Sequence, residues 1–276
     1  MEIKVASIND WPSLNLFYNK IYRQNHPLQN KLFWEWQYGD PNYGRSFICK
    51  DDNGEIVGHV GASFGGGIAW IINVFLSEKY RGKGILTDLY KMAREYHPLA
   101  ATAANDAGLR LYRNMRWIRY HNLVRLVKIN PICKNTFEEV CVPKEINAVK
   151  LNHKDNHYFK QPSLKGIEFI GQTTAVDQSE VGGARIVDLN ENLLFEEEAW
   201  EMGYNWMDYI TSWNDLKCRK LEEKGWQLDS NTCVPWLLNP LEKGRYSNIS
   251  FLSETALPND FIVHRSYSDH GRIGSL

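Results

Sequence analysis

Two glycines alternate with two cations in Arg81-Gly82-Lys83-Gly84, between an apolar run at Ile68–Leu76 and a helical pattern that reaches about Tyr96. A strand, a glycine turn and a helix start, in that order, make an anion site. The first amides of a helix have no intrahelical partner and lie at the positive end of its dipole. Gly82 and Gly84 let the backbone approach a pyrophosphate closely, and Arg81 and Lys83 add charge. The Gly-Lys-Ser/Thr ending of a Walker turn is absent, as is Gly-x-Gly-x-x-Gly. A second constellation runs from Asn105 to Trp117. Asp106 is suited to cap a helix in which Leu109, Tyr112 and Met115 share one face. On this pattern alone Tyr112 reads either as a tyrosine at the core edge or as a proton donor.

The elements that position these residues follow from periodicity. Strands are expected at Ile3–Ser7, Ser46–Lys50, Ile56–Ser63, Ile68–Leu76, Leu99–Ala104 and Trp117–Ile129. Helices are expected at Pro12–Tyr22, Lys31–Tyr38, Ile85–Tyr96 and Asp106–Met115, and Gly65-Gly66-Gly67 reads as a hairpin turn rather than a ligand contact.

In that setting Arg81-Gly82-Lys83-Gly84-Ile85-Leu86 is similar to the Arg/Gln-x-x-Gly-x-Gly/Ala pyrophosphate loop of the GNAT acyl-CoA N-acyltransferases, with Leu86 in place of a small residue. Asn105–Trp117 resembles that family's Asn-x-x-Ala-x-x-Leu-Tyr-x-x-x-Gly-Phe element, at the right distance downstream. The resemblance implies an α+β GNAT fold with a mixed central sheet. It implies acyl-CoA as co-substrate, its pyrophosphate on the amides of Arg81, Gly82, Lys83, Gly84, Ile85, Leu86 and Thr87. Its pantetheine would pair with the main chain of Val74, Phe75 and Leu76, where a backbone N–H is the natural oxyanion donor. Asn105 would bond near the sulfur, Tyr112 would protonate the departing thiolate, and Arg110 or Arg113 would reach the ribose phosphate. Relatives often carry a glutamate base on the strand before the loop. This chain carries Asn73, which cannot take a proton at neutral pH, so Asn73 is expected to position water or the acceptor.

Composition excludes several classes. The 276 residues suffice for one large or two small domains. With 32 basic against 33 acidic residues, neither nucleic acid nor an anionic membrane is an expected partner. Five cysteines without Cys-x-x-Cys spacing indicate no disulfide framework or zinc ribbon, and the expected setting is reducing and cytoplasmic. No apolar run is long enough to span a bilayer. No metal is expected: His153 and His157 have helical spacing but no third ligand, and Ser268-Asp269-His270 are too close in sequence to converge as a triad.

Residues 131–165 are polar and read as a connection with one short strand, Glu138–Val142, which divides the chain into units at 1–130 and 166–276. Asn105-Asp106, Arg110 and Trp117 return as Asn214-Asp215, Arg219 and Trp226, each 109 residues later. Upstream of that copy the strand pattern Ala184–Leu189 leads into Asn190–Glu198, which has four glutamates and no glycine turn. Acidic groups there repel a pyrophosphate. The second unit therefore reads as a smaller, truncated and CoA-less GNAT-like domain that helps bind the acceptor.

The helix Phe33-Trp34-Glu35-Trp36-Gln37-Tyr38 with Asp40-Pro41-Asn42, the loop and the tail Asn259–Val263 together resemble tandem-GNAT sugar N-acyltransferases of surface-polysaccharide (lipopolysaccharide O-antigen) biosynthesis. That implies acylation of a nucleotide-linked deoxyamino sugar, for example dTDP-3-amino-3,6-dideoxygalactose, from 3-hydroxybutyryl-CoA or acetyl-CoA. Candidate acceptor residues are His26, Trp34 and Trp36 near the first helices and Trp206, Tyr209 and Trp236 in the second unit. Two other readings remain open: a peptide or antibiotic N-acetyltransferase, and a noncatalytic binding module on the same fold.

Overall fold

The computed structural model describes residues 1–22, 24, 26–103, 106–133, 167–170, 174–178, 182–189, 196–236, 239–243 and 249–268. In its first part, β1 (Glu2–Val5) is followed by α1 (Trp11–Ile21), α2 (Lys31–Tyr38), β2 (Gly44–Lys50), β3 (Ile56–Gly65) and β4 (Ile68–Leu76). Next come α3 (Ile85–Arg94), β5 (Leu99–Ala103), α4 (Asp106–Asn114), β6 (Ile118–Arg119) and β7 (Val124–Ile129). Further on lie β8 (Ile167–Ile170), β9 (Thr174–Gln178), β10 (Gly183–Asp188), α5 (Glu196–Glu201), β11 (Trp206–Thr211) and α6 (Leu216–Glu223). The last strands are β12 (Gln227–Leu228), β13 (Pro235–Trp236), β14 (Asn239–Lys243) and β15 (Ser250–Ser253).

β3 and β4 are covered on both faces, which suits their nearly unbroken apolar sequences. α3 buries Ile85, Leu89, Tyr90 and Ala93, an apolar stripe at helical spacing, and its opposite face is charged. The expected hairpin turn is present, with Gly66 at φ 61° and Gly67 at φ 72°, and Gly65 lies flat against the Tyr267 ring, where a Cβ would meet ring carbon at 2.4 Å.

Among the described residues the strands form one sheet ordered β1-β2-β3-β4-β5-β15-β6 and another ordered β12-β7-β11-β10-β9-β8, beside the small pair β13-β14. Read from opposite ends, β2-β3-β4-β5-β15-β6 and β8-β9-β10-β11-β7-β12 have the same order and the same directions. The one parallel pair is β4 with β5 in the first sheet and β10 with β11 in the second.

One expectation is corrected here. The single strand foreseen at Trp117–Ile129 is two strands in different sheets: β6 stays in the first, whereas β7 crosses into the second and pairs with β11 and β12. In return β15, from far down the chain, lies between β5 and β6. Each sheet thus takes one interior strand from the other's stretch of sequence. The foreseen strand at Glu138–Val142 is outside the described residues.

The ladders put side chains in matched positions with different chemistry. In the first sheet Trp70 pairs with Ala100, and Phe251, opposite Thr102 two residues further on as Arg125 is opposite Ile210 in the second, stacks its ring on Trp70 at 5.6 Å. The second sheet has Arg185, Asp208 and Arg125 there, and the Arg125 Nε donates to Asp208 Oδ2 at 2.7 Å. Between them runs a 3-10 turn at Arg265–Tyr267. Its Arg265 donates to Asp208 Oδ1 at 2.6 Å, and its Tyr267 stacks on Trp70 at 5.5 Å. Burial disfavours charge on Asp208, but Arg265, Arg125 and Arg185 together hold its carboxyl below the usual carboxylate range.

Candidate functional site

The site begins where the β3–β4 ladder slips. Gly61 faces Ile72 and His59 faces Phe75, so Asn73 and Val74 together oppose Val60. This is a β-bulge. Asn73 adopts φ 50°, a left-handed conformation that asparagine tolerates better than branched residues do. Polar groups on the buried side fix it. Tyr38 Oη donates to Asn73 Oδ1 at 2.7 Å, and Gln37 Nε2 donates to the same oxygen at 3.1 Å. His59 Nδ1 lies 2.7 Å from the Asn73 carbonyl oxygen, and His59 Nε2 lies 2.9 Å from Tyr18 Oη and 3.0 Å from Ser46 Oγ. A carbonyl only accepts, so Nδ1 carries the proton and Nε2 accepts from the hydroxyls. Burial, opposed by the hydrogen bond to Asn73, lowers the His59 pKa to about 4, so the ring is neutral at pH 7.

Beyond the bulge, β4 loses its neighbour. Among the described residues the parallel ladder to β5 holds Ala69 with Leu99 and Trp70 with Ala100, so β4 from Ile71 to Leu76 runs on without a ladder partner on that side. The chain then makes a 3-10 turn at Glu78–Tyr80 and reaches Gly82 at φ 76° and Gly84 at φ 79°. Gly84 is the N-cap of α3 and supplies no side-chain cap, which leaves the first-turn amides open. A Cβ at Gly82 or Gly84 would meet nothing within 4 Å, so what requires glycine is the backbone angle, and space above the turn is free. Arg81 is exposed, with Nε donating to the Leu76 carbonyl at 3.3 Å, and the Lys83 ammonium sits 5.1 Å from the Tyr80 ring centre. An uncapped, cationic helix start beside a strand edge without a ladder partner fits a pyrophosphate with an extended arm.

The expected residues divide into three groups. Arg81, Gly82, Lys83, Gly84 and Thr87 are exposed on the turn and first helical turn, Ile85 and Leu86 anchor it in the core, and Val74, Phe75 and Leu76 line the β4 edge. Tyr112 is buried with 5% exposure, stacked on Trp117 at 4.5 Å and next to Tyr90, whose phenol is pushed up by burial and by Tyr112. Arg113 is exposed on α4, and Asn105 lies outside the described residues.

The acceptor candidates are more buried than an open cleft requires. His26 stacks on Tyr22 at 3.9 Å, and its Nδ1 accepts from the Leu28 N–H at 3.3 Å, which makes it a cap. Trp34 and Trp36 are in the core under α2, with Trp34 against Trp11 and Trp36 against Phe33. Trp206 is 1% exposed, packed on Gly183 under the Arg125 guanidinium, and Tyr209 donates to Asp215 at 2.7 Å. Trp206 and Tyr209 are therefore interior residues of the second sheet and form no open wall. Trp236 is in β13, and its side chain is outside the described residues.

Gln37, Tyr38, Ser46 and His59 were not foreseen as site residues. The available signal was a histidine in the middle of an apolar strand, Gly58-His59-Val60, because an imidazole buried there needs partners. Among the described residues no cluster of three or more His, Cys, Asp or Glu is arranged to hold a metal ion, and no helix is long and apolar enough to cross a membrane.

Residues 10–115 match the model of the acetyltransferase (GNAT) family. No curated protein sequence matches the chain. Solved structures similar to part of it include a spermidine N-acetyltransferase chimera from Vibrio cholerae, at 15% identity and TM-score 0.36, over 45% of this chain and 86% of that one. An aminoglycoside antibiotic 6'-N-acetyltransferase from Acinetobacter haemolyticus is 18% identical at TM-score 0.34, over 42% and 88%. A ribosomal-protein-alanine N-acetyltransferase from Brucella melitensis is 23% identical at TM-score 0.34, over 45% and 88%.

Proposed function

We propose that this protein is an acyl-CoA-dependent N-acyltransferase that acylates the amine of a nucleotide-linked deoxyamino sugar, a reading supported by the match of residues 10–115 to the acetyltransferase (GNAT) family model. The observation that carries the acyl-transfer half is the bulge at Asn73 opening onto an unpaired strand edge and an uncapped helix start. The sugar half rests on the tandem resemblance, supported by a second sheet of matching strand order that reads as a CoA-less GNAT-like domain.

Acyl-CoA supplies the activated acyl group as a thioester, from acetyl-CoA or 3-hydroxybutyryl-CoA. The amides of Gly82 to Thr87, with Arg81 and Lys83, bind the pyrophosphate, and Arg113, exposed on α4, would reach the ribose phosphate. The β4 edge at Val74–Leu76 orients the pantetheine, and the Val74 N–H is aimed at the carbonyl oxygen as it becomes negative. Tyr112 gives its proton to the departing thiolate, with Asn105 near the sulfur. Asn73 has Oδ1 held by Tyr38 and Gln37, so its Nδ2 donates to an oxygen of the acceptor or of a water, and the amine proton leaves through solvent. The acceptor enters beside α1 and α2.

The test is to incubate the purified protein with acetyl-CoA and 3-hydroxybutyryl-CoA against a panel of dTDP- and UDP-amino sugars, following thiol release and product mass. An acylated nucleotide sugar is expected. Thiol release only with peptide or aminoglycoside amines would overturn the sugar assignment and leave acyl transfer standing.

A further inference from the structure

The histidine beneath the bulge is larger and more costly to bury than a core strand needs, and all its polar atoms are committed. Its Nδ1–H donates to the Asn73 carbonyl at 2.7 Å, and Nε2 is met by two hydroxyls from different elements, Tyr18 on α1 and Ser46 on β2. Phe17 and Tyr38 pack against the ring, at 6.2 and 6.0 Å between centroids. The carbonyl, which can only accept, fixes the tautomer with the proton on Nδ1, and the hydroxyls at Nε2 are free to donate to it.

The consequence falls on the next peptide. The 73–74 bond is trans, as is every described peptide bond, so the Asn73 C=O and the Val74 N–H point in opposite directions. With the carbonyl drawn inward to His59, the Val74 N–H is turned outward. At a left-handed φ of 50° this orientation is not the one an ordinary strand residue would choose, and something must hold it.

We propose that His59 is a positioning residue for acyl transfer: by fixing the Asn73 carbonyl it aims the Val74 N–H at the developing oxyanion. The proposal rests on the acyl-transfer reading above. It differs from a packing role because the effect runs through one hydrogen bond to one peptide. Side-chain volume alone does not supply that bond.

The experiment compares wild type with His59→Gln and His59→Met. It measures CoA affinity by calorimetry and the kcat of thiol release from acetyl-CoA, with the best amine found and with hydroxylamine as a generic acceptor. Glutamine can donate to the same carbonyl, whereas methionine fills the space without a donor. Expected are a kcat within threefold of wild type for His59→Gln, a fall of thirtyfold or more for His59→Met, and CoA affinity within threefold for both. Equal kcat in the methionine variant, or parallel loss of kcat and CoA affinity in both variants, overturns the proposal. If His59→Met does not fold, His59→Gln decides alone, since a folded glutamine variant with thirtyfold lower kcat also overturns it. Wild-type protein that neither binds CoA nor releases thiol from acetyl-CoA overturns the acyl-transfer reading itself, and so is distinguishable from failure at His59.

Discussion

The two sheets share a strand order and differ at each point where chemistry would occur. In the first, the parallel ladder between β4 and β5 stops after two pairs. In the second, β10 and β11 hold four pairs, Gly183 with Trp206 through Ile186 with Tyr209. The first follows its strand with Gly82 and Gly84 at positive φ, while α5 of the second opens with Glu196, Glu197 and Glu198. Both keep a bulge, since the β9–β10 ladder slips between Ile186 and Asp188. Both close the helix after their β5 or β11 strand in the same way: the Trp117 N–H donates to the Tyr112 carbonyl, and the Trp226 N–H to the Leu221 carbonyl, each at 3.1 Å. Tyr112 thus has Leu221 as its counterpart. The strand order is common to both sheets, and the ladder length, the turn and the tyrosine are what differ.

The largest expected effect comes from making the second sheet resemble the first at one ladder position. Asp208→Ala, matching Ala100, takes from Arg265 and Arg125 the buried carboxylate they share, leaving Arg125 its longer contact to Asp229 at 3.6 Å, and should cost about 3–5 kcal/mol in denaturant unfolding, whereas an uncharged neighbourhood would tolerate it. Next is pH. His59 has a folded pKa of about 4 against an ordinary 6.5, so the unfolded chain binds the proton first. Its stability contribution is intact above pH 6.5 and is lost as pH falls toward 4, by about 3 kcal/mol in all. In His59→Gln that slope should vanish from unfolding curves measured between those values. Tyr112→Phe, which keeps the stack on Trp117, should lower kcat roughly a hundredfold, about 2.7 kcal/mol, with acyl-CoA affinity retained. Gly84→Ala forces a Cβ into the left-handed N-cap and should weaken CoA binding about tenfold, close to 1.4 kcal/mol, read by calorimetry. The smallest effect is a gain. Arg116 sits at φ 59° after α4 where its counterpart Gly225 sits at φ 80°, so Arg116→Gly should stabilise the chain by about 1 kcal/mol.

The turn at 81–84 was legible because glycine and charge act locally, and the repeat at 214–226 was legible because helix caps sit at fixed spacing from their helices. The exchanged strands were not. Phe251 matches Arg125 in the reverse chain order to the rest of the repeat, so a constant offset cannot find them, and a strand's alternation does not name its partner. His59 escaped because a periodicity reading scores apolar residues and passes over a polar one that brings its own hydrogen-bond partners. Trp206 and Tyr209 were misplaced because aromatic content does not distinguish a binding wall from an interior.

The exchange of β7 and β15 also sets a timetable for synthesis. As the chain leaves the ribosome, β5 and β6 are made early, but the strand that joins them ends at Ser253, about nine-tenths of the way along. Until then the first sheet has a vacant slot, and β7 waits a shorter time, until β11 at Trp206–Thr211, for its partner. Long-range pairing of this kind folds slowly and leaves sticky edges exposed meanwhile. The first sheet is therefore completed by the last of the described strands to be made.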